Sequence, residues 1–176
     1  MDNKGSNIVL IGFMGAGKTT VGRWISQNVN MKYVDTDDYI EAGQNMAIKD
    51  IFAQHGEEYF RNLETKALEE LCRNCTQTVI SVGGGMPVRD INRRLMKELG
   101  TVVYLKATEE ELARRLDGDD KRPMLAGQDL HKRIHELIEQ REDAYLDASD
   151  IVINTMGLSM NGIYNAIEDY INDGGR

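Results

Sequence analysis

Short apolar runs alternate with longer amphipathic stretches along most of this chain. The runs Asn7-Ile8-Val9-Leu10-Ile11, Lys32-Tyr33-Val34-Asp35, Thr78-Val79-Ile80-Ser81-Val82, Thr101-Val102-Val103-Tyr104-Leu105 and Ile151-Val152-Ile153-Asn154 are short and mostly rich in β-branched side chains. Such runs suit strands buried on both faces. Between them, apolar residues recur at helical spacing, at Val21, Trp24, Ile25 and Val29 and again over 37–41, 48–54, 57–72, 89–99, 109–116, 130–145 and 159–171. Strand–helix alternation builds a parallel sheet covered by helices on both faces. We therefore expect α/β architecture: a three-layer α/β/α domain on a five-stranded parallel sheet, with residues 1–176 as one unit because no repeat or linker divides them. The stretch 117–128, Asp117-Gly118-Asp119-Asp120-Lys121-Arg122-Pro123-Met124-Leu125-Ala126-Gly127-Gln128, has no periodicity and is long for a connection. Loops of that kind are usually functional, and this one reads as a mobile lid over phosphates.

The loop after the first strand carries the candidate chemistry. Gly12-Phe13-Met14-Gly15-Ala16-Gly17-Lys18-Thr19 matches G-x-x-x-x-G-K-[ST] at every fixed position. It stands between an expected strand and an expected helix, where that pattern forms a phosphate cradle. Successive N–H groups from Gly15, Ala16 and Gly17 through Thr20 would point at phosphate oxygens, and the positive end of the helix adds to the field. Lys18 places a charge on the β- and γ-phosphates, and the Thr19 hydroxyl suits Mg2+. The fourth strand runs on as Tyr104-Leu105-Lys106-Ala107-Thr108, without the Asn-Lys-x-Asp that reads guanine. ATP is the nucleotide expected.

Composition narrows the classes. A net charge of −8 argues against a nucleic-acid partner, and leaves a cradle of backbone amides unaffected. Hydrophobic content of 41% and charged content of 28% are ordinary for a globular protein. No apolar stretch reaches the roughly 18 residues of a membrane span, and residues 1–6 hold no signal-peptide core. A cytoplasmic protein with no membrane partner is expected. Cys72 and Cys75 read as reduced thiols, and His131 and His135 as a solvated helix face with no third metal ligand in view.

Ligands in an open parallel sheet sit beyond the carboxyl ends of the strands. The second strand ends in Asp35-Thr36-Asp37-Asp38 and the third in Gly83-Gly84-Gly85. The third strand offers Mg2+ no acid, so that role passes to Asp35, with Ser81 as support. Asp37 could accept a hydrogen bond, and then a proton, from an acceptor hydroxyl; capping of a helix would explain one of these acids. The glycines would bring a ligand close to bare backbone, or simply turn the chain. Arg61, Arg122 and Arg141 are candidates that composition does not rank.

Taken in order, these segments resemble the shikimate kinases. The likeness is carried by the octet with Thr20, by Asp35-Thr36-Asp37, by Ile51-Phe52 with Gly56-Glu57-Glu58-Tyr59-Phe60-Arg61-Asn62-Leu63-Glu64, by Val82-Gly83-Gly84-Gly85, by Arg122-Pro123-Met124-Leu125 and by Arg141-Glu142-Asp143-Ala144-Tyr145. It implies a P-loop NTPase fold of the nucleoside monophosphate kinase-like type with a lid. It implies ATP-dependent phosphorylation of the 3-hydroxyl of shikimate in aromatic amino-acid biosynthesis, with Mg2+ as cofactor, by a monomer. By the same resemblance Lys18, Asp37 and Arg122 are catalytic, Asp37 binding ring hydroxyls and Arg122 meeting the charge of the transferred phosphoryl group. Arg61 and Arg141 would clamp the carboxylate beside Gly83, Gly84 and Gly85, with Phe52 and Phe60 as an apolar wall. Arg115 would stack on adenine, Asn154 would open the adenine loop, and Thr19 and Asp35 would hold the metal.

Some positions depart from the family pattern. Ala47 stands where a Ser or Thr usually caps a helix, leaving Asn45 as a candidate cap, and Asp117, Asp119 and Asp120 load the lid with negative charge. Gluconate kinases share the fold and the loop, but the pairing of Asp35-Thr36-Asp37 with three glycines favours shikimate. A nucleotide-binding regulator without catalysis is the remaining rival, and the intact set of acid and arginines speaks against it.

Overall fold

Residues 7–117 and 129–174 are described by the computed structural model. The expected lid at 117–128, with Arg122, lies outside them apart from Asp117. Five strands, β1 (Ile8–Ile11), β2 (Lys32–Asp35), β3 (Thr78–Ser81), β4 (Thr101–Lys106) and β5 (Ile151–Asn154), pair in parallel in the order β2-β3-β1-β4-β5. The helices are α1 (Lys18–Asn28), α2 (Thr36–Gln44), α3 (Ile48–Asn74), α4 (Asp90–Leu99), α5 (Glu109–Leu116), α6 (Leu130–Ala148) and α7 (Met160–Asn172), with a 3-10 turn at Met86–Val88.

Strand alternation builds the layers. Val9 and Ile11 of β1 join Ile80, Val82, Val102 and Tyr104 in a core under α3, α4 and α6, while Ile8 and Leu10 join Val79, Val103, Leu105 and Ile153 under α1 and α7. Successive side chains of a strand point to opposite faces, so a strand covered on both sides is apolar throughout. This is the three-layer arrangement expected from the sequence. A third cluster packs Phe13, Met14 and Ala16 against Leu112, Leu116 and Ile134, which seats the loop after β1 on α5 and α6. Strand order reverses around β1, and the carboxyl ends of β1 and β3 open on the crevice where ligands collect in such sheets.

Three local details correct or sharpen the sequence reading. The helices expected at 48–54 and 57–72 are one stretch, α3, kinked at Gly56, whose φ of 82° an L-residue rarely adopts. Ala47 is the N-cap of α3 and gives no side-chain hydrogen bond; Glu41 of α2 supplies it instead, its Oε1 accepting from Ile48 N at 2.8 Å. Asn45 caps no helix start: at φ 50° it closes the C-terminus of α2. Asn7 precedes β1 and is a buried polar joint, donating to the carbonyls of Cys75 and Leu99 and accepting from Thr78 N. Cys72 and Cys75 are unbridged. Among the described residues no helix is long and apolar enough to cross a membrane.

Candidate active site

A cavity of about 420 Å³ opens at the carboxyl ends of β1, β2 and β3. Its floor is the loop between β1 and α1. Gly17 is the N-cap of α1 at φ 97°, and no side chain caps the helix there. The first-turn N–H groups of α1 therefore meet the cavity without a side-chain partner at the cap, which is the geometry of an anion site. Lys18 folds back over the loop, donating Nζ to Gly12 O at 2.8 Å and to Phe13 O at 3.0 Å, and it lines the cavity with Gly15, Gly17, Thr19 and Thr20. Ala16 is buried beneath, its own N–H given to Phe13 O, so it shapes the loop from inside.

A hydroxyl–carboxylate–phenol cluster lies next to the floor. Thr19 Oγ1 donates to Asp35 Oδ2 at 3.4 Å and the Tyr33 hydroxyl donates to the same oxygen at 3.3 Å. Burial first, and then the Asp35 carboxylate, raise the Tyr33 phenol above its usual range, which keeps it a donor. Asp35 also caps α2, its Oδ1 accepting from Asp37 N at 3.0 Å. A hydroxyl and a carboxylate oxygen this close are the hard donors Mg2+ takes, with waters completing the shell. The residues fit the cation.

The glycine triplet closes the opposite wall. Thr36 Oγ1 accepts from Gly83 N at 3.0 Å, so the start of α2 pins the turn, and a Cβ on Gly83 would lie 2.9 Å from Asp37 Oδ1. Asp37, Gly83 and Gly84 all face the cavity. Arg61 lies flat against Gly85, where a Cβ would sit 2.5 Å from its Nη1, and Arg141 Nη1 lies 3.7 Å from the Cβ position of Gly84. Two guanidinium groups thus stand behind one turn, suited to hold a carboxylate in bidentate fashion. Phe52 and Phe60 pack on each other at 4.8 Å, and the Arg61 guanidinium sits 5.6 Å from the Phe60 ring centre. Phe52, Phe60, Arg61, Gly85, Arg141 and Asn154 lie outside the residues lining the cavity itself.

On the nucleotide side Arg115 donates Nη1 to Gly15 O at 2.9 Å and Nε to Glu111 at 2.7 Å, holding α5 against the loop at the cavity edge. Asn154 turns into its own loop, its Oδ1 accepting from Met156 N at 3.1 Å. Arg122 falls outside the described residues.

Glu64, Tyr145, Thr36 and Met160 received no role from the sequence. Glu64 is buried and accepts from Arg61 Nη1 at 2.8 Å. Burial pushes its carboxyl up to about 7 against the pull of Arg61, and the nearby Asp37 charge adds to the rise. For Arg61 burial works against the charge, and Glu64 and Glu57 more than restore it. Three residues apart on one helix, Arg61 and Glu64 share a face; that spacing was the available signal. Met160, at the start of α7, closes the cavity rim.

The shikimate kinase family model matches residues 14–172. The shikimate kinase of Persephonella marina is 43% identical over 161 residues, covering 92% of this chain and 96% of that protein. The shikimate kinase of Geobacter metallireducens is 39% identical over 165 residues, covering 94% and 91%. Among solved structures, a shikimate kinase from Acinetobacter baumannii in complex with shikimate superposes with a TM-score of 0.89 at 32% identity, covering 98% of this chain and 96% of that one.

Proposed function

This chain belongs to the shikimate kinase family, and from that premise we propose how its own residues phosphorylate a ring hydroxyl of shikimate with ATP, the 3-hydroxyl being the acceptor. One observation carries the reading: the amide floor at Gly17, the carboxylate of Asp37 and the arginine-backed glycine turn converge on a single cavity.

The uncapped start of α1 and Lys18 hold the β- and γ-phosphates of ATP, and Arg115 bounds the nucleotide at the edge of the loop. Asn154 shapes the turn that opens the adenine loop. Thr19 and Asp35 hold Mg2+, which when bound neutralises phosphate charge. Arg61 and Arg141 take the acid group of the acceptor, Gly84 offers backbone to it, and Phe52 with Phe60 backs Arg61. Asp37 then holds the reacting hydroxyl and accepts its proton as the oxygen bonds to the γ-phosphorus and ADP leaves. Arg122, by its place in Arg122-Pro123-Met124-Leu125, meets the charge spread over the transferring group. Positioning and charge stabilisation are most of what phosphoryl transfer needs. We assign the whole of residues 1–176 to one monomeric domain working in the cytoplasm.

The deciding experiment is ADP release from Mg-ATP with shikimate, with gluconate and with no acceptor. Release with shikimate alone supports the reading. Release with gluconate alone returns the gluconate kinase alternative, and nucleotide binding without acceptor-dependent release returns the regulator.

A further inference from the structure

Resting on that reading, we propose that Tyr145 is a positioning residue whose hydroxyl registers the acceptor side of the site against its phosphate side. The phenol is fully buried and donates to Gly84 O at 2.7 Å. Arg141, one helical turn earlier on α6, brings its guanidinium to the same place: Nη1 lies 3.7 Å and the phenol 3.6 Å from the Cβ position of Gly84. One hydroxyl thus ties down the glycine turn directly beside the Arg141 guanidinium.

The contacts around Gly84 extend the link to the phosphate loop. A Cβ built on Gly84 would lie 3.5 Å from Gly12 O, 3.6 Å from the Tyr145 hydroxyl and 3.7 Å from Arg141 Nη1. Gly12 O is the carbonyl that anchors Lys18 Nζ at 2.8 Å. Guanidinium, phenol, glycine turn and lysine anchor therefore meet around one Cα atom. The Tyr145 ring is already held in the core, 5.2 Å from the ring of Tyr104. A phenylalanine would fill that space without a polar atom to satisfy, and burying a hydroxyl is costly unless it is bonded. The hydroxyl's partner, Gly84, and its neighbour, Arg141, both belong to the proposed acceptor side of the site. Phosphoryl transfer tolerates little misregistration, since reacting atoms must come to about 3–3.5 Å.

The test is Tyr145→Phe, alone and with Arg141→Lys, read by calorimetric shikimate binding and steady-state kinetics beside wild type. Leaving the buried Gly84 carbonyl without its donor predicts a rise of about five- to hundredfold in the shikimate dissociation constant and KM. The KM for ATP should stay within about twofold, because the amide floor does not depend on the phenol. In the Arg141→Lys background the second change should cost little further, as expected for two groups acting as a unit. Unchanged shikimate affinity in Tyr145→Phe overturns the inference. Equal losses for shikimate and ATP, or full additivity with Arg141→Lys, overturn it too, because they mark a purely structural hydroxyl. Wild-type protein that releases no ADP with shikimate overturns the functional reading and this inference together.

Discussion

Arg61 and Glu64 form an ion pair one turn apart on α3, with Nη1 2.8 Å from Oε2 and the carboxylate only 1% exposed. Glu57 takes the other edge of the same guanidinium, Oε1 lying 3.0 Å from Nη2, but it stands 65% exposed to solvent. The buried acid fixes the arginine at Nη1, and the exposed one takes its Nε and Nη2 edge. An exposed pair is worth little, so an incoming carboxylate can displace Glu57 while Glu64 keeps the guanidinium in place.

The raised carboxyl of Glu64 makes stability depend on pH. Its folded value of about 7 lies above the ordinary 4.5, so the folded protein binds more protons than the unfolded chain between them. That contribution is complete below about 4.5 and is lost as pH rises through about 7. Wild type should therefore lose more stability than Glu64→Gln between pH 5 and pH 8, by something on the order of 2–3 kcal/mol. Denaturant unfolding of both proteins at the two pH values measures it, and parallel losses would refute the shift.

Removing either clamp arginine should weaken shikimate binding by about 2–5 kcal/mol, but the two losses differ in kind. Arg61→Ala also strands Glu64 inside the protein, which adds a stability cost of about 3–5 kcal/mol at pH 8. Protonation of the stranded acid should relieve much of that cost at pH 5, and Arg61→Ala with Glu64→Gln should relieve it at both. Calorimetry and unfolding curves separate the two effects; intact affinity in both single variants would remove the clamp.

The sheet was legible because its inner strands β1, β3 and β4 show their burial directly as apolar runs, and the loop because Gly17 and Lys18 sit in a pattern with one geometry. The limits of reading lay where a tertiary partner replaced a local signal. The start of α3 has no cap in its own sequence because Glu41 of α2 reaches across to Ile48 N. Asn45 resembled a helix cap but its left-handed backbone ends the preceding helix. Tyr145 looked like an ordinary helix residue, since only the fold puts it under Gly84, whereas helical spacing alone already placed Glu64 within reach of Arg61. Asn154 carried an expected nucleotide role, while its side chain is spent on its own turn.

Asp37 lines the cavity beside Gly83. Asp37→Asn keeps the shape and removes the proton acceptor. Turnover should fall by about 10²–10⁴-fold, the usual worth of a positioned base, while ATP affinity stays near wild type. Single-turnover kinetics with equilibrium nucleotide binding checks both halves, and near-normal turnover would exclude the base.

Asp35 has two jobs that one substitution separates. It accepts from Asp37 N as the cap of α2 and meets Thr19 on the metal side. Asparagine caps a helix about as well as aspartate, so Asp35→Asn should change the unfolding free energy by less than about 1 kcal/mol. Its lost charge should raise the Mg2+ or Mn2+ concentration needed for nucleotide binding by roughly tenfold. Titration of bound Mn2+ by its magnetic resonance signal, with ADP present, reads this without turnover. Unchanged metal affinity would move the metal site away from Asp35.

Gly85 owes its place to Arg61 and not to its own backbone. Its φ of −90° and ψ of −14° suit any residue, yet a Cβ there would lie 2.5 Å from Arg61 Nη1 and 2.9 Å from Cζ. Elsewhere a flexible guanidinium would swing aside, but this one is tied to Glu64 and Glu57. Gly85→Ala must therefore break the hold of Glu64 or displace the turn, at about 1–3 kcal/mol. If Arg61 holds the acceptor as proposed, the loss should appear as a five- to hundredfold rise in shikimate KM, by about 1.4 kcal/mol for each factor of ten. ATP KM should hold, since Gly85 lies outside the residues that line the cavity with the loop. A rise confined to ATP would place Arg61 outside the acceptor site.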